Sequence, residues 1–292
     1  MKGIILAGGS GKRLFPLTKV SSKQLQAVYD KPMIYYPLTT LIAAGIREIS
    51  IITTPNDKEA FRELLQDGSH LGVNLNFIVQ QKPSGIANAI VLAEDFLQED
   101  NFTLILGDNI FSGGSDIPNA VNSFNKGALV FAYHVPDPER YAVLEFNKKM
   151  EIKSLIEKPI KPKSNYAVPG FYIYDREAIK IAKTLKPSSR GEYEITDINL
   201  KYLENGLLKV HRLSRGFAWL DSGTSSSLHN ASNYVAAIEQ RQGMKIGCPE
   251  EAALIRGFIN LKDLQKLVLK MPECEYSNYL LKIIDGYQTG ML

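Results

Sequence analysis

The sequence predicts an α/β protein with a Rossmann-like, mostly parallel central sheet, flanking helices, a β-rich insertion and a C-terminal helical segment. Three observations predict this fold class. Short apolar runs alternate with segments of helical period over about the first hundred residues, as in a parallel sheet covered on both faces. Closely spaced strand-like runs fill the middle of the chain. From Glu250 onward, apolar residues recur at helical spacing.

The first predicted strand ends in a glycine-rich turn. Ile4 to Ala7 are apolar and partly β-branched, as expected of a strand that is buried on both faces. Backbone N–H groups in a glycine turn form an anion-binding concavity, and glycine lets a ligand approach without meeting a Cβ. This turn departs from both common phosphate-binding motifs, so taken alone it is equally typical of a solvated loop. It contains Gly8, Gly9 and Gly11 and ends in the cations Lys12 and Arg13.

Helices and strands follow from apolar periodicity and turn residues. A helix is predicted to open at Pro32 and to close at Gly45, and Asn56 is predicted to cap the next helix with Glu59 as its capping-box partner. Further helices are predicted at residues 87–97, 177–185, 194–204 and 224–240, followed by three helical pieces broken near Asn260 and Pro272. Further strands are predicted at residues 49–53, 75–79, 102–106, 128–135, 142–146, 152–157, 171–174, 207–213 and 217–220.

Polar residues follow several of the predicted strands. The glycine turn, Gln80 and Asp108 each stand just past a strand end. The carboxyl ends of parallel strands meet at one edge of a sheet, where ligands bind. We therefore expect these residues to gather at one site, which argues against a merely solvated glycine turn.

Composition excludes several classes of protein. The chain has 292 residues, of which 45% are hydrophobic and 22% charged, values typical of a globular protein with a sizeable core. The net charge of +3 gives no reason to expect nucleic acid or membrane binding. No apolar run approaches transmembrane length, and no signal peptide is recognisable. Cys248 and Cys274 lie outside any metal-ligand spacing, so we expect free thiols and a cytoplasmic location.

A set of motifs together resembles the sugar-1-phosphate nucleotidylyltransferases, and among them the glucose-1-phosphate thymidylyltransferase family. The resemblance covers nearly the whole chain and is weakest in the last few dozen residues. The motifs are Gly3–Gly11 with Arg13 and Leu14, Ser22–Leu25, Tyr29–Pro37, Leu106–Asn109, Asp137–Tyr141, Glu157–Pro159, Arg190–Glu192 with Glu194–Asp197, and Ala218–Asp221; Lys12 departs from the small residue of many relatives.

The resemblance implies a reaction and an organisation. Glucose 1-phosphate and dTTP would give dTDP-glucose and pyrophosphate with Mg²⁺, by in-line attack of the sugar phosphate on the α-phosphorus, for dTDP-rhamnose or deoxysugar biosynthesis. A homotetramer and feedback inhibition by dTDP-rhamnose are implied as well. Residues 1–240 would form the catalytic domain, with a nucleotide-binding part at about 1–110 and a sugar-binding part at about 111–225. Residues 241–292 would be an oligomerisation or regulatory segment.

The same resemblance assigns Arg13, Lys23 and Lys158 as catalytic residues. The attacking phosphate is already anionic near neutral pH, so no general base is needed. Cations must instead offset the charge of two anionic substrates. This need fits a chain whose four histidines fall in no motif. The nucleotide-binding residues implied are Leu6, Gly8, Gly9, Gly11, Arg13, Gln24, Gln80, Gly85 and Asp108.

The resemblance also assigns the sugar, metal and effector residues. Asp108 and Asp221 would hold Mg²⁺, which favours one or two carboxylates together with phosphate oxygens and water. Spacing alone could not pair these two aspartates, and a turn former at Asp108 or a helix cap at Asp221 stays open. The sugar-phosphate-binding residues implied are Asn109, Tyr141, Ala142, Glu157, Lys158, Tyr172, Arg190 and Trp219. The effector-site residues implied are Arg215, Gly216, Glu251 and Arg256.

Three alternatives remain at this point. A uridylyltransferase, or specificity for another hexose 1-phosphate, stays open because a hydrophobic pocket discriminates one methyl group only weakly. A non-catalytic nucleotide-sugar sensor would be expected to lack some of the catalytic residues, which are all present. A dinucleotide-dependent oxidoreductase is opposed by the incomplete glycine fingerprint. The chain departs from the family pattern at Gln26-Ala27, at Ala142 and at Ser112-Gly113-Gly114.

Overall fold

The computed structural model describes residues 1–9 and 11–291. Its first part contains β1 (Lys2–Ala7), β2 (Ala27–Val28), β3 (Lys31–Pro32), α1 (Tyr35–Ala43), β4 (Glu48–Thr53), α2 (Lys58–Leu65), β5 (Asn74–Val79), α3 (Ile86–Leu92), α4 (Glu94–Leu97) and β6 (Phe102–Leu106). The middle contains β7 (Asn109–Ser112), α5 (Asp116–Ser123), β8 (Ala128–His134), β9 (Ala142–Phe146), β10 (Ile152–Glu157), β11 (Tyr166–Ala167), β12 (Phe171–Tyr174), α6 (Glu177–Thr184), α7 (Ile195–Glu204), β13 (Leu208–Arg212) and β14 (Ala218–Asp221). The chain continues with α8 (Ser225–Gln242), α9 (Pro249–Ile255), α10 (Leu261–Val268) and α11 (Glu275–Thr289).

One ten-stranded sheet organises the fold, in the order β10-β9-β11-β8-β12-β6-β1-β4-β5 with β13 beside β8. Strands β1, β4, β5, β6, β8, β9 and β13 run in one direction, and β10, β11 and β12 run in the other. The predicted mostly parallel sheet is therefore confirmed. The strand order reverses between β1 and β6, and open α/β sheets bind ligands in the crevice at such a point.

The apolar run of β1 has a simple physical reason. Successive side chains of a strand point to opposite faces of the sheet. Ile5 packs in a core with Leu41 of α1, whereas Ile4 packs in the core on the other face with Ile90 of α3. Because helices cover both faces, every position of β1 favours an apolar residue.

Several predicted boundaries of helices and strands are wrong, because contacts in the tertiary structure override the local sequence pattern. Pro32 lies in the short strand β3, which pairs with β2, and the helix begins only at Tyr35. Asp57, and not Asn56, occupies the N-cap of α2. The helix predicted at 87–97 breaks at Ala93 into α3 and α4. Strand β7, which periodicity did not indicate, pairs with β14 more than a hundred residues later in the chain.

The C-terminal helices share the main core of the protein. Ala253 of α9, Leu264 of α10 and Leu280 of α11 are buried in the same apolar cluster as Ile5 of β1. Cys248 is buried and Cys274 is exposed, and both are free thiols as predicted. Across residues 1–9 and 11–291, no helix has both the length and the apolar character needed to cross a membrane.

Candidate active site

A cleft of about 800 Å³ opens at the carboxyl ends of β1 and β6, where the strand order reverses. It brings together all the residues predicted to be catalytic, nucleotide-binding, sugar-phosphate-binding or metal-binding. These lining residues are Leu6, Gly8, Gly9, Gly11, Arg13, Lys23, Gln24, Gln80, Gly85, Asp108, Asn109, Tyr141, Ala142, Glu157, Lys158, Tyr172, Arg190, Trp219 and Asp221.

The glycine turn presents Arg13 to this cleft. Gly11 has a φ of +59°, and the Thr18 hydroxyl donates a hydrogen bond of 2.9 Å to its carbonyl oxygen. A Cβ at Gly11 would lie 2.7 Å from the Thr18 Cγ2, so the turn requires glycine on both conformational and steric grounds. Leu14 is fully buried and anchors the turn, while Arg13 beside it is exposed.

A second loop brings Lys23 to Asp108, which follows β6. The Lys23 ammonium forms an ion pair with the Asp108 carboxylate, and both side chains are largely buried. Burial, the largest single effect, raises the pKa of Asp108, but the Lys23 charge and the hydrogen bonds from Lys23 and Asn109 together hold the net pKa below its usual value. Asp108 is therefore held ionised beside the cleft.

Strand β14 places Asp221 next to Asp108. Asp221 stands opposite Asn109 in the antiparallel pairing of β14 with β7. Its carboxylate accepts hydrogen bonds from the Gly223 N–H at 3.1 Å and from Arg140 Nη2 at 3.2 Å. Burial, and then the negative charge of Asp108, raise the pKa of Asp221.

Two adjacent carboxylates of this kind fit a magnesium site. Their mutual repulsion favours the uptake of a cation or a proton, and Mg²⁺ needs only one or two carboxylates when phosphates complete its shell. In the part of the chain that the structure describes, no cluster of three or more His, Cys, Asp or Glu residues could hold a metal by itself. Asp108 and Asp221 therefore suit a metal that arrives with a phosphate ligand.

Most of the hydrogen-bonding groups of the Asn109 side chain are used within the protein. Its Oδ1 accepts from the Gly170 N–H at 3.0 Å and from the Trp219 indole N–H at 2.6 Å. Its Nδ2 donates to Asp108 at 3.0 Å, which leaves one amide hydrogen for a ligand. The predicted contact with a sugar hydroxyl thus has room for a single donated bond.

Two buried glutamines line the side of the cleft next to the glycine turn. Gln80 donates from Nε2 to Asn88 Oδ1 at 3.2 Å, and Gln24 accepts from the Ser22 hydroxyl at 2.7 Å. A Cβ on Gly8 would stand 3.0 Å from Gln80 Oε1, so the backbone of the turn approaches this amide closely. Fixed amides of this kind can read the edge of a pyrimidine.

The opposite side of the cleft is built from charged side chains. Lys158 has a φ of +43°, rare for a residue with a side chain, and its N–H donates to the Tyr141 carbonyl at 3.0 Å. Glu157 Oε2 accepts a 2.6 Å hydrogen bond from the Thr196 hydroxyl. Glu157 Oε1 lies 3.6 Å from Lys158 Nζ and 3.5 Å from Arg190 Nη2.

Arg190 is surrounded by carboxylates. Its Nη2 lies 2.8 Å from Glu194 Oε1 and 3.8 Å from Glu192 Oε2, in addition to Glu157. The Ser188 hydroxyl donates to the same Glu194 oxygen at 2.7 Å. The guanidinium is thereby fixed before any ligand binds.

Aromatic side chains close this region. The rings of Tyr141 and Trp219 lie 4.8 Å apart between centroids, and Tyr172, which also lines the cleft, is buried. Burial, followed by the charge of Asp221, raises the pKa of Tyr141 to about 12, so its phenol stays neutral at physiological pH. Burial likewise raises the pKa of Tyr172 well above its usual value.

The structure adds residues that sequence reasoning missed. Arg140 lines the cleft and bridges Asp137, at 2.7 Å, and Asp221, at 3.2 Å. Gly223 leaves space for Arg13, because a Cβ there would lie 2.9 Å from Arg13 Nη2. Arg140 belongs to a motif that the sequence had already singled out, whereas no local signal marks Gly223.

The predicted effector-site residues lie away from the cleft. The Gly216 carbonyl packs against Gly113, Glu251 accepts a 2.6 Å hydrogen bond from the Tyr279 hydroxyl, and the Arg256 guanidinium packs against Gly45. Arg215 is exposed. A separate pocket of about 130 Å³ lies between α1 and the Gly113–Gly114 turn, and its lining residues include none of the four.

Comparison with known proteins places the fold and the cleft in a family. The sequence profile described as nucleotidyl transferase matches residues 2–238. The glucose-1-phosphate thymidylyltransferase of Mycolicibacterium smegmatis is 52% identical over 287 residues, which cover 98% of this chain and 99% of that protein. The Neisseria meningitidis protein of the same name is 50% identical over 286 residues, with coverage of 97% and 99%. The chain therefore belongs to the nucleotidyl transferases and, among them, to the glucose-1-phosphate thymidylyltransferase family.

Solved structures agree with this assignment. A Bacillus anthracis protein assigned as a glucose-1-phosphate thymidylyltransferase, crystallised with sucrose, has a TM-score of 0.75 and 45% identity, covering 80% of this chain and 94% of its own. A UDP-glucose pyrophosphorylase complexed with UDP-glucose has a TM-score of 0.72 at 24% identity, covering 82% and 99%. At that identity the second likeness shows the shared fold alone.

Proposed function

We propose that this protein transfers the thymidylyl group of dTTP to glucose 1-phosphate, releasing pyrophosphate and forming dTDP-glucose. One observation carries the proposal most directly. A single cleft holds a glycine turn whose Arg13 has no ion-pair partner among the described residues, a set of cations paired with carboxylates on the other side, and two adjacent carboxylates between them. This arrangement suits two phosphorylated substrates that meet head to head. The two substrates are proposed from the names of relatives that are 50% and 52% identical to this chain.

The reaction follows from the charges in the cleft. An oxygen of the sugar phosphate attacks the α-phosphorus of dTTP in line, a new P–O bond forms, and the bond to pyrophosphate breaks. The nucleophile is already an anion, so no proton need be removed. The barrier is then the approach of two anions and the charge that develops on the leaving group.

The cations of the cleft are placed for that task. Arg13 can grip the triphosphate bidentately and stabilise the departing pyrophosphate. Lys23, paired with Asp108, adds charge beside the α-phosphate, and Lys158 holds the attacking phosphate in position. Arg190 is a further cation of the cleft, and residues that fix such cations, as Glu194 fixes Arg190, supply pre-organisation rather than chemistry.

Mg²⁺ is part of the proposal. Asp108 and Asp221 would hold it, and the ion would neutralise phosphate oxygens and draw both substrates to one point. Lys23 and Arg140, which pair with these carboxylates, would keep both side chains oriented toward the cleft.

Regulation, assembly and location extend the proposal. A homotetramer, feedback inhibition by dTDP-rhamnose at a site with Arg215, Gly216, Glu251 and Arg256, and a cytoplasmic location all rest on the motif resemblance or on the free cysteines. Light scattering of the purified protein tests the tetramer, and inhibition that is noncompetitive with dTTP tests the second site.

The decisive assay is a matrix of nucleoside triphosphates against sugar 1-phosphates, read by pyrophosphate release with Mg²⁺. The proposal predicts the highest kcat/KM for dTTP with glucose 1-phosphate. A higher value for UTP, or for another hexose 1-phosphate, would assign a different specificity to the same site. Tight nucleotide-sugar binding without turnover in every combination would contradict the enzyme and favour a sensor.

A further inference from the structure

Asp57 occupies the N-cap position of α2 but does not cap it. N-cap aspartates ordinarily accept a hydrogen bond from the first turn of their own helix. The Asp57 side chain makes no such bond. Its Oδ1 instead accepts from the Ser22 N–H at 2.9 Å, across 35 residues of sequence, and its Oδ2 accepts from the Thr54 hydroxyl at 2.5 Å. Asp57 therefore contacts a loop that is distant in sequence instead of capping its own helix.

That long-range contact holds the loop that carries Lys23 and Gln24. Ser22 begins this short turn, and its hydroxyl donates to Gln24 Oε1 at 2.7 Å. All three residues are buried, with exposures of 6%, 9% and 3% in chain order. A buried N–H needs an acceptor, and Asp57 provides the one for Ser22.

Asp57 also joins this loop to the edge of the sheet where the glycine turn begins. Thr54 follows directly after β4, whose last residue, Thr53, stands beside Ala7 of β1. Asp57 itself is not among the residues that line the cleft. It can therefore affect the site only indirectly, through the loop and the strand end that it joins.

We infer that Asp57 is a positioning residue for the nucleotide side of the site, which fixes Lys23 against Asp108 and holds Gln24 in place. The inference rests on the proposed function for its kinetic consequences. Small displacements of a positioned group are costly, and an error of about 1 Å can lower the rate about 100-fold. The sugar side of the cleft has no contact with Asp57 and should be unaffected.

The test compares Asp57→Ala with Asp67→Ala. Asp67 follows the same helix, and among the described residues its side chain accepts only from Ser69, at 3.0 Å from the N–H and 2.6 Å from the hydroxyl. We expect Asp57→Ala to lower kcat/KM for dTTP about 10- to 100-fold with an unchanged KM for glucose 1-phosphate. The Asp67→Ala enzyme should match the unmodified protein in both values.

Two further measurements separate positioning from general stability. In a Lys23→Ala background, Asp57→Ala should add little, because residues that act through one group are not additive. Asp57→Asn should recover most of the activity, since the asparagine Oδ1 can still accept from Ser22. Amide hydrogen exchange should accelerate at residues 21–26 of the Asp57→Ala protein. This measurement does not depend on enzymatic activity.

The outcomes distinguish this inference from the proposed function. If the unmodified protein shows no turnover, the proposed function fails, and the exchange measurement with a dTTP binding constant still decides the role of Asp57. If the unmodified protein is active and Asp57→Ala has an unchanged kcat/KM for dTTP, the inference is wrong. Full additivity with Lys23→Ala, or an equal rise of KM for both substrates, would also overturn it.

Discussion

The two sides of the cleft meet phosphate groups in different ways. On the glycine-turn side, in the residues that the structure describes, no carboxylate oxygen lies within 4.0 Å of the Arg13 guanidinium. On the other side, three carboxylates lie within that distance of Arg190, those of Glu157, Glu192 and Glu194. The first side presents a glycine turn and an arginine that is unpaired among the described residues, whereas the second presents Arg190 and Lys158 among carboxylates.

The difference matches the ligands proposed for each side. A triphosphate carries several negative charges and its leaving group gains more, so unpaired cations stabilise it most. A sugar phosphate offers hydroxyl groups as well as charge, and carboxylates accept hydrogen bonds from hydroxyls. From this contrast we expect the glycine-turn side to stabilise the leaving group, and the other side to select the sugar and hold its phosphate.

The largest expected effect comes from removing the free charge. Arg13→Ala should lower kcat/KM for dTTP about 10³-fold, in line with other arginines that stabilise phosphoryl transfer. Lys12→Ala should lower it less than about 10-fold, because a lysine beside the turn is a point charge without the bidentate fork. Initial rates of pyrophosphate release measure both. Equal losses in the two variants would erase the distinct role of Arg13.

Substitutions of the two carboxylates between the sides should differ in their effect on the free energy of unfolding. Asp221→Asn should raise the Mg²⁺ concentration for half-maximal rate at least about 10-fold and leave the free energy of unfolding nearly unchanged. Asp108→Asn should also weaken Mg²⁺ and in addition cost about 3 kcal/mol, because it leaves the buried Lys23 charge unpaired. Mg²⁺ titration of the initial rate and urea unfolding provide the readouts. A normal Mg²⁺ dependence in both variants would remove the metal from this position.

A smaller and more selective effect is expected on the sugar side. Glu157→Gln should raise KM for glucose 1-phosphate about 10-fold, equivalent to about 1.4 kcal/mol, while KM for dTTP stays the same. Glu145→Gln serves as the control, since within the part of the chain that the structure describes Glu145 pairs only with Lys153 and Ser154 on the neighbouring strand. A parallel rise in both KM values would contradict the division of labour.

The smallest effect should come from a helix cap outside both sides. Asn260 caps α10 with a 3.1 Å hydrogen bond from the Asp263 N–H, in a reciprocal capping box. Asn260→Ala should cost about 1 kcal/mol of unfolding free energy and leave the kinetics unchanged. Denaturant unfolding at constant pH measures the cost, and a changed KM for either substrate would link this segment to the cleft.

The glycine-turn side could be predicted well from the sequence because its signals are local. Gly8, Gln80 and Asp108 each follow an apolar strand, and the rule that parallel strands end at one edge was enough to gather them. The mostly parallel sheet followed from the same alternation of strands and helices.

The rest depends on contacts between distant residues. Asp221 reaches Asp108 only because β14 pairs with β7, and the Trp219 indole bonds Asn109 across 110 residues. The predicted helix cap at Asn56 is wrong, because Asp57 takes the N-cap position, and its carboxylate accepts a hydrogen bond from Ser22 instead of from the helix. No periodicity or spacing encodes such pairings. The motif resemblance proposed the pair of Asp108 and Asp221 but neither the Trp219–Asn109 bond nor the Asp57–Ser22 bond.

The central claim is that both substrates share one cleft, so that the sugar phosphate attacks the nucleotide directly. The most direct measurement follows the stereochemistry at the α-phosphorus, using a single diastereomer of dTTP that carries an α-thiophosphate. One in-line displacement predicts inversion of configuration in the dTDP-glucose analogue. Retention would require two displacements through a nucleotidylated side chain, and it would contradict the direct transfer proposed for this cleft.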